Sequence, residues 1–268
     1  MFTIREYAMP ETLDEAYTIL KSRKGNQILG GCAWLRLGKK RINIAVDLTK
    51  CGLDYIREDD EQIEIGAMTS YRSVETCDIL KKYFNGVIAD SVSSIIGTQF
   101  RNTVTVGGSV YGRFGFSDFL TPLLALDTSV VLYKRGSVSL ETFMTMPYEK
   151  EIIEKIVIKK DGRKSSYSRG DFPILNLAAS RTEAGQWIVT VGARGAKAIR
   201  AEKTAAFLSD KLSQNALKAE DVEAVIQEAG EILVSEVTFT SNMRASAEYR
   251  RILGKVLLGK AVREVMAC

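Results

Sequence analysis

Two pairs of adjacent glycines follow apolar or β-branched runs, Ile28-Leu29-Gly30-Gly31-Cys32-Ala33 and Thr103-Val104-Thr105-Val106-Gly107-Gly108-Ser109. Lacking a Cβ, such a pair permits positive φ and close backbone approach, so that successive N–H groups can converge on one anionic oxygen. Two turns of this kind can grip a pyrophosphate from both sides. Each pair taken alone also reads as a tight turn. Neither has the glycine spacing of a Rossmann turn or a P-loop, so the chemistry indicated by these residues is anion binding and nothing narrower.

Ser109 adds a hydroxyl directly after the second pair, and Asp118 offers a carboxylate ahead of a helix expected to begin near Phe119. That aspartate can serve as a helix N-cap or as an acceptor for the hydroxyls of a ribose or polyol. The chain contains no histidine, which removes the commonest transition-metal ligand and the usual general base near neutral pH, and with them Ser-His-Asp and zinc hydrolases. Cys32, Cys51, Cys77 and Cys268 are too scattered for a C-x-x-C ligand pair, so no metal of its own is expected. The 37 basic and 33 acidic residues include no dense basic block beyond Lys39-Lys40-Arg41, which reads as a solvated turn, and nucleic acid is not an expected partner. No run approaches the ~20 apolar residues of a membrane span, and the first residues lack the pattern of a signal peptide. A cytoplasmic location is expected.

The elements that must position these residues follow from periodicity. A strand at Thr3 to Tyr7, a helix at Thr12 to Ser22 with Thr12 and Glu15 spaced as a capping box, and strands at Gln27 to Leu29 and Ile42 to Asp47 make a β-α-β unit ending near residue 55. Two short strands then flank the acidic tip Glu58-Asp59-Asp60-Glu61. Helical spacing covers Ser73 to Tyr83 and Val87 to Ile96, a glycine-rich stretch covers Gly97 to Gly115, and a helix covers Phe119 to Leu126. Strands are expected at Ser129 to Tyr133 and Glu154 to Ile158. From about Ser165 a third region has strands at Asn176 to Thr182, Gln186 to Ala193 and Ala198 to Ala201. Its helices are expected at Glu202 to Leu208, Ala219 to Ile232 and Ser246 to Val265. The mixed order indicates an α+β fold. Arg101 reads as pairing with a carboxylate or capping carbonyls, ahead of contact with a phosphate or a neighbouring subunit, and Tyr111, Phe114 and Phe116 as core or as flanks for a flat ring or a partner surface. In the last helix Tyr249 reads as packing, Arg250 and Arg251 as solvated charge.

The stretch Arg101-Asn102-Thr103-Val104-Thr105-Val106-Gly107-Gly108-Ser109 resembles the R-N-x-x-T-[IV]-G-G-N segment of the FAD subunits of the xanthine dehydrogenase and carbon monoxide dehydrogenase family. The resemblance continues in order through Leu29 to Leu35 (family A-G-G-T-D-L), Ile65-Gly66-Ala67-Met68-Thr69, Asp118 to Asp127, Glu151-Ile152-Ile153 and Ser246-Ala247-Glu248-Tyr249-Arg250-Arg251. It implies a vanillyl-alcohol-oxidase-type FAD-binding domain with two α+β subdomains, about 1–55 and 56–164, followed by a smaller α+β domain over 165–268. Carried over by position, Leu29, Gly30, Gly31, Cys32, Ala33, Trp34 and Leu35, with Thr105, Gly107, Gly108 and Ser109, would wrap the pyrophosphate. Asp118 would bond FAD hydroxyls, Ile153 would lie against one of the ring systems, and Arg169 falls near a family lysine. Cys32-Ala33-Trp34, Ser109 and Gly115 depart from the family pattern, which leaves the backbone donors in place and alters side-chain contacts.

The resemblance further implies an electron-transfer flavoprotein subunit with no catalytic side chain of its own. Its partners would be a molybdenum-pterin subunit and a subunit with two-iron two-sulfur clusters, and NAD is one possible acceptor. Clustered cysteines for an iron-sulfur centre are missing here, so such centres belong to other chains. The alternatives are a self-sufficient flavin oxidoreductase of the same fold, with Tyr111, Tyr167 or Arg169 as acid or base, and a scaffold that has lost FAD.

Overall fold

A computed structural model describes residues 2–170, 173–212 and 219–267. In chain order the first half holds β1 (Thr3–Ala8), α1 (Leu13–Ser22), β2 (Gln27–Leu29), β3 (Arg41–Asp47), β4 (Ile56–Glu58), β5 (Gln62–Gly66), α2 (Tyr71–Thr76), α3 (Asp78–Lys82), α4 (Val87–Ser93), α5 (Thr98–Thr103), α6 (Val106–Gly112), α7 (Leu120–Leu124) and β6 (Thr128–Leu132). There follow β7 (Gly136–Ser139), α8 (Leu140–Thr145), β8 (Ile153–Lys159), β9 (Lys164–Arg169), β10 (Asn176–Arg181), β11 (Trp187–Gly192), β12 (Ile199–Arg200), α9 (Glu202–Lys211), α10 (Ala219–Glu236) and α11 (Ala247–Ala267).

These elements form two compact units, one from Met1–Cys77, Val92–Gly112 and Thr128–Lys159, the other from Asp78–Ser91, Arg113–Asp127 and Lys160–Cys268. In the first unit β1, β3 and β2 make a parallel three-stranded sheet in that order, with Leu29 at the end of β2 paired to Asp47 of β3. Parallel neighbours need a crossover, and α1 supplies it. Thr12 starts that helix by accepting the Glu15 N–H at 3.2 Å, while the Glu15 carboxylate reaches back to the Glu11 N–H. Ala16 and Leu20 are buried on its inner face. The second sheet of this unit is antiparallel, in the order β4-β5-β8-β6-β7, with Ile63, Ile65, Ile156, Ile158 and Val130 fully buried.

The other unit is built on an antiparallel sheet in the order β12-β11-β10-β9, whose apolar residues share one core with α9, α10 and α11. Leu177, Val189 and Val191 from the strands meet Leu208, Leu233, Leu258 and Val262 from the helices in that core. Helix α7 is buried along its whole length, and its last carbonyls find donors in Arg200, which reaches Leu124 O at 2.9 Å, and Arg163, which reaches Ala125 O at 3.2 Å.

The structure departs from the sequence reading in four places. The helix expected over Ser73 to Tyr83 breaks at Cys77, whose extended backbone separates α2 from α3. The second glycine pair lies inside α6, not in a turn after a strand. Strand β9 has no apolar alternation to announce it, because the residues it buries are Ser165, Ser166 and Ser168. In α11 the expected roles are exchanged: Arg250 is 1% exposed, whereas Tyr249 is about half exposed at 49%. The Arg250 guanidinium donates to Ile174 O (2.8 Å), Ala245 O (3.2 Å), Thr240 O and Asn242 Oδ1 (2.8 Å), so a buried cation is solvated by backbone and amide oxygens. Cys268 lies outside the described residues.

Replacing Arg250 by leucine strips donors from three carbonyls and an amide oxygen, and should destabilise the protein by ~3 kcal/mol. The expected result is a lower urea midpoint with an unchanged slope; an unaltered midpoint would show that those acceptors find other donors.

Candidate cofactor site

In the first unit, strand β2 delivers Gly30 and Gly31 directly onto the segment between α5 and α6. A Cβ on Gly31 would lie 1.7 Å from Thr103 O, and one on Gly30 would lie 2.9 Å from Thr105 Oγ1 and 3.1 Å from Gly108 Cα. At Gly107 a Cβ would meet Ala67 Cβ at 2.7 Å. None of these four glycines has positive φ, so what they provide is close approach. The left-handed residue is Cys32, at φ 56, whose Sγ donates to Gly30 O at 2.8 Å. Burial, and then the charge of Asp47, push the Cys32 thiol up, which keeps it a neutral donor and not a nucleophile.

Thr105 is the hinge pin of this crossing. Its Oγ1 accepts the Gly108 N–H at 3.2 Å as an N-cap of α6 and the Gly31 N–H at 3.4 Å from the β2 turn. The other N–H groups at the start of α6 also have protein acceptors: Val106 bonds Thr69 O, Gly107 bonds Ala67 O, and Ser109 bonds Thr105 O. The second glycine pair therefore contributes a surface without side chains, while the N–H groups of Cys32 and Ala33 have no acceptor among the described residues. Both are available to an anion.

Beside the crossing lies a cavity of about 220 Å³. Gly30, Thr105, Gly107, Gly108 and Ile153 line it, with Ile28, Ala67 and Met68 as further apolar wall and Lys24, Lys40 and Lys150 as cations. Lys150 donates to Leu20 O at 3.3 Å and to Arg23 O, at the end of α1. Burial, together with the neighbouring charges of Lys21 and Lys40, holds its ammonium below the usual lysine range. Gln27 Oε1 and Glu151 Oε2, from two lining residues, are buried and have no donor among the described residues. A site with an apolar wall, several cations and orphaned acceptors fits a flat, phosphorylated ligand that also carries hydroxyl or amino groups.

Leu29 ends β2, Trp34 is half exposed, and Leu35 opens a single 3-10 turn, Leu35–Leu37. Ser109 turns its hydroxyl to Thr105 O at 3.0 Å. Tyr111 lines the cavity and donates to Glu149 O, whereas Phe114 and Phe116, in the other unit, stack on each other. Arg101 behaves as expected, with Glu75 holding its guanidinium at 2.8 and 3.2 Å and Ile95 O accepting a third bond. Lys40, read from sequence as a solvated turn residue, lines the cavity, and Lys24, Lys150 and Gln27 gave no sequence signal because their separations follow no motif.

Asp118 and Arg169 come together in the second unit. Asp118 is buried, and its carboxylate accepts from Tyr167 Oη, from Asn176 Nδ2 at 3.0 Å and from Arg169 Nη1 at 3.1 Å. It does not cap α7; the Leu120 N–H goes to Ser117 Oγ at 3.2 Å. Burial first, and then the Asp118 charge, raise the Tyr167 phenol well above its ordinary value, so Tyr167 keeps its proton and acts as donor.

Residues 2–160 match the family model described as the FAD binding domain in molybdopterin dehydrogenase. The chain belongs to that family. Residues 163–265 match the carbon monoxide dehydrogenase flavoprotein C-terminal domain. Among named relatives, the glyceraldehyde dehydrogenase medium chain of Sulfolobus acidocaldarius is 24% identical, over 97% of this chain and 97% of its own. The xanthine dehydrogenase FAD-binding subunit of Escherichia coli O157:H7 is also 24% identical, over 100% and 98%. The fold is that of a chain in the carbon monoxide dehydrogenase of Hydrogenophaga pseudoflava, with a TM-score of 0.85, 21% identity and coverage of 99% and 98%. This FAD-binding family member is thus a flavoprotein of the molybdenum hydroxylase type, an oxidoreductase subunit with FAD as its cofactor. No helix among the described residues is long and apolar enough to cross a membrane.

Two outcomes are expected. Gly31→Ala forces a methyl into Thr103 O and should cut FAD retention by about tenfold or more, while Gly38→Ala, 3.4 Å from its nearest neighbour, should not; flavin absorbance per protein measures both. In alkaline titration Tyr167 should stay protonated past ~10, where exposed phenols ionise, so Tyr167→Phe should leave the native 295-nm phenolate step unchanged. Because the folded value lies above the unfolded one, the stabilising contribution of Tyr167 is complete through neutral pH and is lost only as pH rises toward that raised value.

Proposed function

We propose that this chain is the electron-transfer flavin subunit of a molybdenum hydroxylase complex. It takes electrons from two-iron two-sulfur clusters on one partner subunit and passes them to NAD or another acceptor, while a molybdenum-pterin subunit carries out the hydroxylation. The observation that supports this reading best is the shared cavity of Gly30, Thr105, Gly107, Gly108 and Ile153, drawn from three distant stretches of sequence and ringed by lysines. Family membership and full-length relatives named as FAD or medium chains of dehydrogenases support the subunit role.

In this proposal the FAD-binding domain is residues 1–164 and the C-terminal domain 165–268, in a cytoplasmic assembly. Leu29 to Leu35 hold the pyrophosphate through backbone donors, of which Cys32 and Ala33 are the open ones, against the side-chain-free face at Thr105, Gly107, Gly108 and Ser109. Ile153 gives an apolar contact to a ring, and Asp118, steadied by Arg169, accepts from cofactor hydroxyls. Bound FAD supplies the two-electron chemistry, and the protein supplies position and electrostatics.

The test is to purify the tagged chain from cells that make it naturally, identify released flavin by chromatography, and assay molybdenum and iron. FAD with bands near ~370 and ~450 nm, recovered with molybdenum, iron and two further chains, is the expected result. A lone chain that oxidises a small substrate would overturn the subunit role in favour of a self-sufficient oxidoreductase. Colourless protein that takes up no FAD would favour a scaffold.

A further inference from the structure

We infer that Tyr167 and Asn176 are positioning residues for Asp118, fixing its Oδ1 so that Oδ2 is the oxygen offered to a hydroxyl of the cofactor. This rests on the proposed assignment of Asp118 to FAD.

An ionised carboxylate has about four acceptor sites, two on each oxygen. Asp118 Oδ1 is filled by Tyr167 Oη and by Asn176 Nδ2 at 3.0 Å, and Oδ2 receives Arg169 Nη1 at 3.1 Å, which leaves one site, on Oδ2. The Asp118 side chain keeps 7% of its surface, so it is not sealed off. Being anionic, that site takes a hydroxyl or amino donor and repels phosphate.

The donors are placed by strand register. Tyr167 and Arg169 are two apart on β9 and so share a face, and Asn176 of β10 is paired directly with Arg169. The amide of Asn176 is oriented in turn: Thr121 Oγ1 donates to its Oδ1 at 2.9 Å, which turns Nδ2 toward Asp118. Room for that contact comes from Gly192, the β11 partner of Asn176, where a Cβ would stand 2.1 Å from Asn176 Oδ1 and 2.3 Å from Thr121 Oγ1. A knot meant only to hold the sheet would not need one oxygen saturated and the other left with a vacancy.

The test measures FAD affinity by fluorescence quenching in flavin-depleted full-length chain. Asp118→Asn changes Oδ2 into a donor and should weaken FAD by about tenfold or more. Tyr167→Phe keeps the ring and should weaken it by about threefold or more, yet add nothing in the Asp118→Asn background, because its effect passes through Oδ2. Thr121→Val should show the same dependence on Asp118 and decides the matter if Tyr167→Phe does not fold. Equal losses from Tyr167→Phe in both backgrounds, or no loss in either, would overturn the inference while leaving Asp118 as a cofactor contact. An unchanged affinity in Asp118→Asn would instead remove Asp118 from the site, and the inference with it.

Discussion

The first unit depends on one contact between two stretches of backbone. Gly31 passes so close to Thr103 O that no side chain fits between them, and Thr105 Oγ1 joins the two stretches by accepting N–H groups from both. Strand pairing sets where the β2 turn emerges, and α5 and α6 set where the opposing segment runs. The cavity exists because these two constraints meet with no Cβ in the way. A glycine in a helix interior normally costs about 0.5–1 kcal/mol relative to alanine, and α6 carries two because a methyl at Gly107 would meet Ala67 and one at Gly108 would press on Thr105 Oγ1.

Electrostatics complements that geometry in a divided manner. Three lysines and the open N–H groups of Cys32 and Ala33 give the first unit a preference for anions. In the second unit a carboxylate accepts from a phenol, an amide and a guanidinium, a preference for donors.

Much of the fold was legible in the residues. Alternation in Ile42 to Val46, the box of Thr12 and Glu15, and the run Gln27 to Leu29 located the β-α-β unit closely, and the glycine pairs marked the crossing. What was hidden has identifiable causes. Gly107 and Gly108 look like a turn because helix propensity argues against them, and only the folded neighbours Ala67 and Thr105 explain their place in α6. β9 buries serines, so no apolar period betrays it. The Tyr167 to Asp118 bond joins residues 49 apart, and the cavity lysines are brought together only by the folded chain.

Two of the buried arginines, Arg250 and Arg101, differ in what holds them, and this gives the segments they anchor unlike tolerance to acid. Arg250 is bound by carbonyl and amide oxygens, none of which takes up a proton in the acid range, so its anchorage of the 240–245 loop persists as pH falls. Arg101 is bound by Glu75, whose carboxyl is held below its ordinary value chiefly by the hydrogen bond from Arg101. The stability from that pair is present above the unfolded carboxyl value and is lost as pH drops through the lowered one. Arg101 sits in α5, whose last residue, Thr103, lends its carbonyl to the glycine crossing. Acid therefore loosens the segment against which Gly31 packs while the Arg250 anchorage holds, and the glycine crossing can open before the molecule unfolds.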